Sequence, residues 1–135
     1  MRASHFEYYN PNPKELRTCD CMIRAFCKAL DKDWYEVFDL LNEIAKKNCM
    51  PFNAKEMIDI YAKEFGFNKV RISALKRGEK SINPEKFCKD HPTGTYILSM
   101  AHHTLCVKDG KYWDLSPGIS IKRIYSYWEK VDESQ

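Results

Sequence analysis

Cys21 follows Asp20 at the point where apolar residues begin to recur at helical spacing, and His102-His103 and then Asp114 follow far downstream. A thiol, an imidazole and a carboxylate are the parts of nucleophilic acyl transfer. The thiolate attacks, the imidazole moves protons, and the carboxylate fixes the imidazole tautomer. A helix N-terminus favours the thiolate because its unpaired backbone N–H groups carry partial positive charge. Cys19 lies before the inferred helix, where that field is weaker. Cys27 shares the stripe of Ile23 and Leu30, which assigns it to the core. Cys88 and Cys106 have similarly apolar neighbours, and nothing assigns a role to Cys49.

The choice of imidazole rests on strand parity, since adjacent strand residues face opposite ways. If Asp109-Gly110 is a two-residue hairpin loop, Lys108 pairs with Lys111 and His103 falls opposite Ser116. Asp114 is then the diagonal same-face neighbour of His103. A three-residue bulged loop over Lys108 to Gly110 would shift the register by one and favour His102. Parity leans towards His103 and leaves His102 open. The developing oxyanion needs N–H donors, for which the Cys21 backbone amide and the side chain of Asn10 or Asn12 are candidates. The same asparagines also suit turns beside Pro11 and Pro13. Asp20 reads as a helix N-cap, and Arg24, one turn on, as a structural ion-pair partner.

Cys19, Cys21, His102 and His103 add up to four possible zinc ligands, but neither pair has the separation that zinc sites use, so no metal is expected. No glycine-rich phosphate loop is present, and the chemistry requires no cofactor.

These groups need elements to position them. From Asp20, residues Ile23, Phe26, Cys27 and Leu30 predict a helix to about Leu30. Asp33 with Glu36 is a capping-box pattern opening a second helix that ends near Lys47. Asn53 with Glu56 repeats the pattern for a third, with Gly66 just past its end. A short fourth helix starts at Asn83-Pro84 with Phe87 and Cys88 inward. Thr95 to Met100, Thr104 to Lys108, Lys111 to Leu115 and Ile119 to Val131 read as strands, and Phe67 to Ile72 as a further candidate. Helices followed by an antiparallel sheet predict an α+β fold.

A chain of 135 residues, 44% of them hydrophobic, is expected to form one domain with an ample core. The net charge of +3 has no basic block, so composition gives nucleic-acid binding no direct support. No apolar run approaches the ~20 residues of a membrane span, and Met1 to His5 lack the apolar stretch of a signal peptide. These features predict a cytoplasmic protein whose six cysteines stay reduced, without indicating an oligomeric state.

Residues 8–13 (Tyr-Tyr-Asn-Pro-Asn-Pro), Asp20 to Ala25, Gly94 to Leu98 and the His103 to Asp114 segment together resemble small papain-like cysteine peptidases of the C39-like group, closest to proteins of Firmicutes and their phages. The resemblance covers most of the chain. It implies a papain-like fold in which the nucleophile opens a helix packed on an antiparallel sheet, with Cys21 as nucleophile, His103 as general base and acid, and Asp114 orienting the imidazole. It implies a peptidase or amidase acting on a peptide or protein substrate. Many members carry a Gln before the nucleophile, whereas Lys14 to Thr18 contain none, so Asn10 or Asn12 would replace it. The alternative is a papain-fold binding module, such as a phage protein that occludes a host protein, with the basic-aromatic stretch Lys122 to Trp128 as a contact surface. Substrate choice would depend on loops such as Ile72 to Asn83.

Overall fold

The computed structural model describes residues 5–72 and 81–131; most of the Ile72 to Asn83 loop, residues 73–80, lies outside them. The fold is α+β. In chain order the elements are β1 (Phe6–Tyr8), α1 (Cys21–Leu30), α2 (Trp34–Lys47), α3 (Met57–Glu64) and β2 (Phe67–Arg71). They continue with α4 (Pro84–Asp90), β3 (Thr95–Met100), β4 (His103–Lys108), β5 (Lys111–Asp114), a 3-10 turn (Pro117–Ile121) and β6 (Ile124–Lys130). The strands form one six-stranded sheet in the order β1-β5-β4-β3-β6-β2.

Alternation along the central strands buries both faces of the sheet. Ile97 of β3 and Cys106 of β4 join a cluster with Ile23, Phe26, Leu41 and Tyr61 from α1, α2 and α3. Their neighbours Leu98, Leu105 and Val107 point the other way, onto Phe87 and Cys88 of α4. A period of two thus serves helices on opposite sides of one sheet.

Asp33 caps α2 as expected, its carboxylate accepting the Glu36 N–H at 2.8 Å. The Glu36 carboxylate, however, accepts from Lys32 instead of closing the box. Asn83 caps α4 in the same manner, accepting the Lys86 N–H at 2.8 Å. Asp109-Gly110 is the two-residue loop of the β4–β5 hairpin, with Lys108 opposite Lys111 and both loop residues at positive φ. Gly66, at φ +86°, follows α3 where a left-handed residue was expected.

Four expectations are corrected. The sheet is mixed, because β1 pairs in parallel with β5 through bonds such as Tyr9 N–H to the Asp114 carbonyl. Three edge residues satisfied through backbone groups leave no periodic signature. Asn53 does not cap α3, whose first amides, Met57 and Ile58, donate to the carbonyls of Ala54 and Lys55. The stretch from Ile119 is not one strand: Pro117 and the Ser116 hydroxyl, which accepts the Gly118 N–H, build a 3-10 turn before β6 begins at Ile124. Finally, His102 lies not on a strand but in the two-residue turn between Met100 and His103, at φ +55°.

Candidate active site

Cys21 is the first residue of α1, His103 the first of β4 and Asp114 the last of β5. Because β4 and β5 are antiparallel, the start of one and the end of the other share one end of the sheet. The two-residue Asp109-Gly110 loop sets the register that puts the imidazole and carboxylate on neighbouring strands there. His103 Nε2–H donates to Asp114 Oδ2 at 2.6 Å. The ring also hydrogen-bonds the Cys21 side chain, which leaves Nδ1 as the nitrogen for sulfur. The backbone N–H of Thr104 donates to the same sulfur.

The charges around this chain alternate. Arg24, one turn after Cys21 and 4% exposed, donates to Asp20 Oδ1 at 2.9 Å and to Asp114 Oδ1 at 3.2 Å. Asp20, 2% exposed, also accepts from Trp34 Nε1 at 2.9 Å and from Asn12 Nδ2 at 3.4 Å. Asp20 therefore occupies the N-cap position without capping, its carboxylate being spent on Arg24, Trp34 and Asn12. Asp114 Oδ1 accepts the Leu115 N–H at 2.7 Å, so both of its oxygens are engaged. Buried carboxylates persist only with such partners.

Proton affinities follow from this arrangement. Burial pushes the Cys21 thiol up, but the His103 hydrogen bond and charge, the Thr104 N–H and Arg24 together hold it below its ordinary value. Burial opposes the imidazolium, yet the hydrogen bonds to Asp114 and Cys21 raise His103 to about 9. Burial would also raise Asp114, and His103, the Leu115 N–H and Arg24 outweigh it to hold the carboxyl low. A lowered thiol facing a raised imidazole shifts the pair towards its thiolate–imidazolium form. The buried thiols behave oppositely: burial pushes Cys27 and Cys88 up to about 12 and Cys106 higher still. All six cysteines are free.

A cavity of about 560 Å³ opens beside Cys21 and His103. Asn10 and Asn12 do not line it. The Asn10 amide donates to the Leu16 carbonyl at 3.3 Å, and that of Asn12 turns to Asp20. Asn53 does line it, freed from the capping role its sequence context predicted. Together with the Cys21 backbone N–H it is a donor candidate that no local pattern marks. Cys19 and His102 also line the cavity, but among the described residues no three His, Cys, Asp or Glu side chains gather as a metal site. Nor is any described helix long and apolar enough to cross a membrane. No protein-family model, curated protein or solved structure matches the chain, so its chemistry rests on the geometry of Cys21, His103 and Asp114 alone.

Proposed function

We propose that this protein is a papain-like cysteine hydrolase that cleaves a peptide or related amide bond. The observation that carries the reading is the hydrogen-bonded chain Cys21–His103–Asp114, assembled from a helix start and two strand ends at a cavity. The Cys21 thiolate attacks the substrate carbonyl carbon. As the C–N bond breaks, the His103 imidazolium gives its proton to the leaving amine and an acyl-thioester remains. Water then attacks the thioester carbonyl while His103 takes its proton, the tetrahedral adduct breaks its C–S bond to release the carboxylic acid, and the expelled thiolate again faces the imidazolium. Asp114 keeps Nε2 protonated, so that Nδ1 is the nitrogen that works on sulfur, amine and water.

Alkylation with iodoacetamide, read by intact mass and peptide mapping, tests the nucleophile. At pH 6 Cys21 should react about tenfold or more faster than exposed Cys19 or Cys49, and His103→Ala should remove the advantage. Equal rates at the three thiols would sink the proposal. One observation favours the alternative of a binding module with little turnover: the Asn10 and Asn12 amides are committed away from the cavity. In that case Cys21 would alkylate rapidly, yet no substrate amide would turn over beyond a single acylation.

A further inference from the structure

The composition of the cavity carries information about the substrate. Its floor is apolar, formed by Met22 of α1, Ile58 of α3 and Met100 of β3, which are 7%, 7% and 4% exposed. Its volume lies within the ~300–1,000 Å³ of ligand clefts. Its rim includes the exposed Lys55 and His102, and among the described residues that line it there is no Asp or Glu.

A second cavity of about 260 Å³ also touches His103 and is lined by Arg24, Asp114 and Lys122 among others. Among the described residues that line it, the single carboxylate is that of Asp114, which is engaged by His103, Arg24 and the Leu115 N–H. Exposed Lys122 lines this cavity as exposed Lys55 lines the first. Each of the two cavities that touch His103 thus has an ammonium group in its lining, and among the described lining residues no carboxylate is left over to pair with it.

We propose that the substrate is an acidic polypeptide. An apolar residue on the acyl side of the scissile amide fills the Met22–Ile58–Met100 floor, and carboxylates before and after it face Lys55 and Lys122. This assignment rests on the cysteine-hydrolase reading and adds a substrate class to it. Complementary charge both steers encounter and penalises basic competitors, and such effects weaken with salt.

Peptidyl chloromethyl ketones provide the test: the Cys21 thiolate forms a C–S bond, chloride leaves, and intact mass reports the rate. Each rate is divided by that protein's iodoacetamide rate, which has no flanking groups to recognise. A Leu warhead should outpace its Ala counterpart about tenfold, because an apolar floor discriminates by methylene count. Glu flanks should outpace Lys flanks about fivefold at low salt, the scale of one or two exposed charge pairs. The ratio should shrink at ~1 M salt, where the Debye length is ~3 Å. Lys55→Glu should reverse it. For the leaving side, amide substrates with Glu or Lys after the scissile bond should show the same preference, reversed by Lys122→Glu. Equal rates for acidic and basic flanks, a ratio indifferent to Lys55→Glu, or Ala matching Leu would overturn the assignment and leave the hydrolase reading intact. Failure of iodoacetamide to favour Cys21 would remove that reading and the substrate assignment with it.

Discussion

Replacing Arg24 by Met probes the charge relay beneath the candidate site. Arg24 bridges Asp20 and Asp114 at 2.9 and 3.2 Å, and all three side chains are buried. Methionine occupies much of the volume of the arginine stem, so the change is chiefly electrostatic. It leaves two buried carboxylates without their shared cation. Removing one member of a buried pair costs roughly 3–5 kcal/mol. Both carboxylates retain N–H donors, from Trp34 and Asn12 on one side and Leu115 and His103 on the other, which places the expectation at the lower half, ~3–4 kcal/mol. With an unfolding entropy of ~2.1 cal/mol/K per residue over 135 residues, that corresponds to a melting temperature lowered by ~10–15 °C. Adding Asp20→Asn removes one stranded charge and should return ~1–2 kcal/mol of the loss. Arg24 also lowers Cys21 and Asp114, so Arg24→Met should move the acid limb of Cys21 alkylation to higher pH. Calorimetry and alkylation against pH measure the two effects. A variant melting within ~3–4 °C of wild type, equivalent to ~1 kcal/mol, with an unmoved alkylation profile would refute the relay.

Two further outcomes follow from the geometry. His103, raised from 6.5 to about 9, contributes stability that is full below pH 6.5 and lost as pH rises through about 9. Cys21, lowered from 9.0, contributes stability present above 9.0 and lost as pH falls through its lowered value, so the two trends offset one another at neutral to mildly alkaline pH. Cys21→Ser removes the second together with the part of the first that Cys21 supplies, and leaves the Asp114 pairing of His103: its melting temperature should decline relative to wild type as pH rises above 6.5, and parallel curves would contradict the ion pair. At Gly110, φ is +75° and an added Cβ would meet the Pro92 carbonyl oxygen at 3.2 Å. Gly110→Ala should therefore cost about 1–3 kcal/mol in denaturant unfolding, and a loss below ~0.5 kcal/mol would show that the loop relaxes at little cost.

How much was legible depended on how local the cause was. The Asp33 and Asn83 caps, the Asp109-Gly110 loop and Gly66 after α3 each act within a few residues of themselves, and their patterns identify them. Asp20 shows where local reading stops. It stands at the predicted N-cap, but its carboxylate goes to Arg24, Trp34 and Asn12, because a buried charged donor outcompetes a backbone amide. Asn53 shows the same limit from the other side, since backbone carbonyls took over its expected capping task and left it at the cavity.

The sequence by itself determined the α+β succession of helices and strands and the Asp109-Gly110 hairpin, because helical period, strand period and turn chemistry are short-range properties of the chain, while it left the hairpin register open between His103 and His102. Only the tertiary structure decided that α1 ends its approach with Cys21 against His103 and Arg24 against Asp114, and that β1 returns to pair with β5. Those contacts join residues about 80 to 106 positions apart, and the buried charges among them are tolerable only when every partner arrives together.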